Sequence, residues 1–74
     1  MTRLPRISGH DCVKALGKAG FELVRQRGSH LMLRRNFPYC VIPVPNHKVL
    51  GPGLLRAIIK QAGLTPAEFR ELLA

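Results

Sequence analysis

FELVRQRGSHLMLRRNFPYCVIPVP, residues 21–45, divides into three short runs rich in β-branched, aromatic and long aliphatic side chains: Phe21–Gln26, His30–Arg35 and Tyr39–Pro45. Arg27-Gly28-Ser29 and Asn36-Phe37-Pro38 separate them, and both triplets carry turn-forming residues. The spacing predicts three antiparallel strands joined by tight hairpins. Pro43 and Pro45 cannot donate ladder hydrogen bonds, so the third strand is expected at a sheet edge or to finish near them. Period-two alternation then puts Leu31 and Leu33 on one face and His30, Met32 and Arg34 on the other. A one-residue bulge near Gly28 would invert that facing.

Outward from the strands, helix signals appear on both sides. Ser8 with Asp11 resembles a capping box, and Ile7 just outside it is placed to staple onto Cys12. Cys12, Val13, Leu16 and Ala19 then recur at helical spacing, and Gly20-Phe21 reads as a left-handed stop with its apolar contact. After the strands, Asn46–Gly53 (NHKVLGPG) reads as a loop. From Leu54 to Ala62 a second stripe runs through Leu54, Leu55, Ile58, Ile59 and Ala62, with Arg56 and Lys60 outside it. Gly63-Leu64 repeats the stop. Thr65, Pro66 and Glu68 give an N-cap, an N1 proline and an N3 carboxylate for a short last helix buried through Phe69, Leu72 and Leu73. The expected order is α-β-β-β-α-α, an α+β fold in one domain over residues 1–74, because a chain this short cannot divide its buried surface between two cores.

Hydrophobic residues make up 46% of the chain, which separates it from disordered compositions. Twelve Lys and Arg against four Asp and Glu give a net charge of +8, so a polyanionic partner is expected, nucleic acid first. An acidic protein partner fits the same charge. No apolar run is long enough to span a bilayer and the start has no signal-peptide core, so a cytoplasmic, non-membrane protein is expected. Cys12 and Cys40 form no metal or redox motif and read as small buried hydrophobes.

The four carboxylates, Asp11, Glu22, Glu68 and Glu71, are scattered, and Asp11 and Glu68 belong to helix starts. Chemistry that gathers acidic ligands around Mg²⁺ is therefore disfavoured, and no metal or cofactor is expected. Metal-free RNA cleavage needs less. The 2′-hydroxyl of the RNA is the nucleophile, so the protein has only to move protons and stabilise charge at phosphorus. A histidine, with an ordinary pKa of about 6.5, suits either proton role, and guanidinium groups clamp phosphate oxygens. His30, at the Gly28-Ser29 turn, is the first candidate for the proton-transfer group, and His47 in the following loop is a second. Arg25, Arg27 and Lys48 bracket them as phosphate ligands; the Ser29 hydroxyl and Arg34 lie alongside. Each of these also reads as a solvated surface residue, and pattern alone leaves that alternative open.

LPRISGHDCVKALGKAGFELVRQRGSHLMLRR, followed by VPNHKVLGPGLLRAIIKQAGLTPAEFRELL, resembles the HicA family of small toxins from bacterial toxin-antitoxin pairs. The likeness is carried by Gly20-Phe21 with Arg25-Gln26, the Gly28-Ser29-His30 turn, Pro45 with His47, and the run Gly53–Leu64. Leu54 departs from the family's usual Thr. The resemblance implies a double-stranded-RNA-binding-like fold, with a three-stranded sheet covered by helices on one face and an extra short C-terminal helix. It further implies a ribonuclease that cleaves mRNA, the family's catalytic histidine at His30, and a HicB antitoxin that masks the site. A non-catalytic RNA-binding module of the same shape is the competing expectation, reading A-form RNA through its backbone and 2′-hydroxyls. Against it, the helix start GPGLLRAIIK lacks the lysine cluster of ordinary double-stranded-RNA-binding domains.

Overall fold

A computed structural model describes residues 3–74, so the first two positions of the expected domain lie outside the described residues. Six elements follow in order: α1 (Gly9–Gly17), β1 (Glu22–Arg27), β2 (His30–Asn36), β3 (Tyr39–Pro45), α2 (Pro52–Gln61) and α3 (Pro66–Leu72). Both capping boxes form. The Asp11 amide donates to Ser8 Oγ at 3.0 Å and the Ser8 amide donates to Asp11 Oδ2 at 3.4 Å. At α3 the Glu68 amide donates to Thr65 Oγ1 at 3.1 Å, answered at 2.8 Å from the Thr65 amide to Glu68 Oε1. Both stops form as well. Phe21 N–H reaches back to the Leu16 carbonyl at 3.1 Å and Leu64 N–H to the Ile59 carbonyl at 3.1 Å, with Gly20 and Gly63 at φ 95° and 78°.

The second helix begins earlier than the apolar stripe suggests. Pro52 occupies the first helical turn after the N-cap residue Gly51, because a fixed φ suits a position whose amide would be unpaired anyway. Leu54 is consequently not part of the buried stripe. It sits about 100° around the helix from Leu55 and is 39% exposed, while Leu55, Ile58, Ile59 and Ala62 are buried.

The strands form one antiparallel sheet in the order β1-β2-β3, which leaves β3 and its two prolines at an edge. Leu31 and Leu33 of β2 and Ile42 and Val44 of β3 join Cys12, Leu16, Phe21, Leu50, Leu55, Ile58, Ile59 and Phe69 in the core. Each fully buried large side chain contributes about 2 kcal/mol. The helices therefore cover one sheet face, and β2 keeps its alternation throughout, with Leu31 and Leu33 inward. The irregularity expected as an alternative near Gly28 occurs instead in β1, where the register slips by one residue at Val24 between the pairs Leu23↔Leu33 and Arg25↔Met32.

Cys12 is fully buried, whereas Cys40 is only half-buried and its thiol donates to the Gln61 carbonyl at 3.3 Å, so the reading of both cysteines as core residues holds for the first alone. Arg35, the one β2 arginine on the helix-covered face, is structural. Its guanidinium stacks 4.6 Å from the Phe21 ring centroid while Nε and Nη1 donate to the carbonyls of Pro38 and Ala62 at 3.0 and 3.2 Å.

Candidate nucleic-acid interface

The uncovered sheet face takes its residues from all three strands. From β2 it receives His30 and Arg34, both exposed, with Met32 half-buried between them. On β1, Arg27 stands opposite His30 and Arg25 opposite Met32. The slip at Val24 makes this possible. Without the slip, Glu22↔Arg34 and Leu23↔Leu33 would be followed by Val24↔Met32 and Arg25↔Leu31, and the β1 arginines would turn to the covered side. On β3, Pro43 and Val41, both exposed, stand opposite Met32 and Arg34, while Pro45 opposite His30 is buried. Arg25, Arg27 and Arg34 surround a shallow hollow of about 240 Å³ floored by Val24, Met32 and Val41, with Tyr39 at its far end. His30 stands beyond the Arg27 end of that hollow.

The His30 turn is braced from two directions. Gln26 Nε2 donates to the Gly28 carbonyl at 3.1 Å, and the Asn46 amide donates to the Ser29 carbonyl at 2.7 Å. The second bond draws the start of the β3–α2 loop to the turn, so the segment carrying His47 and Lys48 leaves the sheet at the His30 end. That loop is held, too. Gly9 N–H donates to the His47 carbonyl at 2.9 Å and Leu50 N–H to the Ile7 carbonyl at 2.8 Å. Contact at Gly9 is so close that a Cβ there would lie 2.2 Å from the Pro45 carbonyl oxygen. Only glycine admits this approach.

Of the residues singled out from sequence, Arg25, Arg27, His30 and Arg34 share the open face. Ser29 is exposed in the turn, and His47 and Lys48 are exposed in the adjoining loop. Gly9, Gln26 and Tyr39 were not among the site candidates. Gly9 left no signal beyond a glycine at a helix start, but Tyr39 could have been found by carrying the β2 alternation across the second hairpin. A larger cleft of about 370 Å³ lies between α1, α3 and Pro5–Ile7. Its lining contains Asp11, Lys14 and Lys18 and no histidine, so it is remote from this chemistry.

The family model described as HicA toxin of bacterial toxin-antitoxin matches residues 9–64. The chain belongs to the HicA toxin family. The match opens at the first residue of α1 and closes on the stop of α2, so the HicA region takes in the whole sheet and both His30 and His47 and leaves α3 outside. No curated protein and no solved structure matches the chain significantly. A HicA toxin is one half of a toxin-antitoxin pair. Among the described residues of this HicA chain, no helix is long and apolar enough to cross a membrane.

Proposed function

We propose that the chain is a metal-independent endoribonuclease toxin that cleaves mRNA in the cytoplasm, with His30 as general acid or base, and that a HicB-type antitoxin neutralises it by covering the open sheet face. The observation that carries this reading is the joint position of His30, Arg27, Arg25 and Arg34 on a face that no helix covers. In the reaction, the 2′-hydroxyl of one ribose loses its proton to a histidine and attacks the adjacent phosphorus. The bond to the 5′-oxygen of the next nucleotide breaks, and that oxygen takes up a proton. The products are a 2′,3′-cyclic phosphate and a free 5′-hydroxyl. Arg25, Arg27 and Arg34, with Lys48 and Ser29 at the loop and turn, bind the phosphate backbone and offset the charge that accumulates at phosphorus. His47 is the proposed second proton-transfer group, since its loop meets the His30 turn through the Asn46–Ser29 bond.

The test compares the protein with its His30→Ala variant for cleavage of a single-stranded RNA in EDTA, with the product ends identified. Loss of at least about a hundredfold in rate is expected, general acid–base catalysis typically contributing 10²–10⁴. Full cleavage by the variant removes His30 from the mechanism. If neither protein cleaves, the open face serves RNA binding alone.

A further inference from the structure

Tyr39 is in an unusual place for a large ring. It begins β3, is 72% exposed, and lies at the end of the hollow away from His30, where its neighbours on the lining are Arg34 and Val41. No contact with the core explains it. Strand propensity favours tyrosine at such a position, and its cross-strand partner is Asn36, but neither demands an aromatic ring among arginines. An exposed ring beside guanidinium groups on a strongly basic face is the combination that single-stranded nucleic acid uses: charge tracks the phosphates, and a flat π surface receives a base.

We propose that Tyr39 is a base-stacking residue that holds single-stranded RNA at a fixed distance from the cleavage point. The proposal rests on the RNA reading of this face and adds to it a subsite for a base. The RNA backbone runs from His30 along the hollow past Arg27, Arg25 and Arg34, and one base lies against the Tyr39 ring. Six residue steps along β2 lead from His30 to Asn36, the register partner of Tyr39. At about 3.3 Å per residue the separation is about 20 Å, the span of roughly six stacked nucleotides at 3.4 Å each and of fewer when the strand is stretched. Very short RNAs therefore occupy the His30 end without reaching the ring. Phe37, 94% exposed at the hairpin tip, does not line the hollow and is not part of the subsite. Charge decides between occupants. A protein partner also favours tyrosine and arginine, but three arginines and no carboxylate line this hollow, which complements a polyphosphate first.

Binding is measured by fluorescence anisotropy in the His30→Ala background, so that cleavage does not consume the probe. Two labelled single-stranded RNAs are used, of about twelve and about three nucleotides, matched to the reach worked out above. Tyr39→Ala should weaken the longer RNA at least fivefold, the lower end of what stacking on one aromatic ring supplies, while leaving the short one unchanged. Tyr39→Phe, which keeps the ring, should stay within about twofold of the parent. The salt dependence of binding should keep its slope in Tyr39→Ala and become shallower in Arg25→Ala, because only the arginine releases counterions. Equal loss for both RNA lengths, or no loss for either, overturns the assignment. The cleavage reading fails on a different result, His30→Ala remaining active, which leaves these binding constants standing.

Discussion

Replacing Gly9 by alanine puts a methyl carbon 2.2 Å from the Pro45 carbonyl oxygen and 3.2 Å from the Asn46 Cα. An ordinary contact begins near 3.4 Å, so the backbone at Pro45 has to retreat by 3.4 − 2.2 = 1.2 Å. Neither side yields easily, since both surfaces are backbone and Pro45 is fixed by its pairing with His30. Overpacking of this kind costs about 1–3 kcal/mol. The 2.9 Å bond from Gly9 N–H to the His47 carbonyl is lost or stretched, at about 1 kcal/mol. Alanine returns at most about 1 kcal/mol through helix propensity. The net expectation for Gly9→Ala is a destabilisation of about 1–3 kcal/mol, a drop of roughly 1–3 M in urea midpoint for a domain with a slope near 1 kcal/mol/M. Gly17→Ala supplies the contrast. It lies in the same helix, is exposed, and has nothing within 4 Å of the added carbon, so it should hold or raise the midpoint. A Gly9→Ala midpoint equal to or above that of the unsubstituted protein refutes the close approach of α1 to the loop.

Two neighbouring arginines should respond in opposite ways. Arg35→Ala should destabilise the fold by about 2 kcal/mol, the sum of two carbonyl hydrogen bonds and a stacked ring, whereas Arg34→Ala should leave the urea midpoint unchanged and weaken RNA binding. Burial pushes the Cys12 thiol up from 9.0 to about 12. The folded state therefore holds its proton where the unfolded chain has released it, and stability present below about pH 9 is lost as pH rises above that value, by no more than about tenfold in folding constant per unit. The decline should be shallower in Cys12→Ala when urea midpoints are followed from neutral to alkaline pH. In the native protein a thiol reagent should titrate Cys40 before Cys12, and simultaneous reaction would show that α1 opens readily.

The element order was legible because each boundary carries local chemistry. Ser8 with Asp11, Thr65 with Glu68, and the two Gly-apolar stops specify helix ends whatever the rest of the chain does. The facing of β2 was equally legible, since Leu31 and Leu33 can be buried in only one way if the strand is regular. Leu54 misled because periodicity counts apolar residues and is blind to helix phase, which Pro52 sets from outside the stripe. Arg34 and Arg35 look alike in sequence, and only the sheet assigns one to solvent and the other to Phe21. The slip at Val24 and the approach of Gly9 to Pro45 are long-range matters of register and clearance, and no nearby residue announces them.

The slip at Val24 carries information of a kind that side-chain replacement does not reach. What matters there is that the residue between Leu23 and Arg25 stays out of the ladder, not which residue it is, since pairing it regularly would carry Arg25 and Arg27 to the helix side. Substitution scans across Val24 will report a tolerant site. Removing the residue would leave every arginine in the chain and the net charge of +8 intact, and would let Arg25↔Met32 follow Leu23↔Leu33 directly, so that Arg25 and Arg27 keep the open side with no slip at all. In this protein the electrostatic surface is specified partly by where β1 leaves regular pairing, and composition by itself does not contain it.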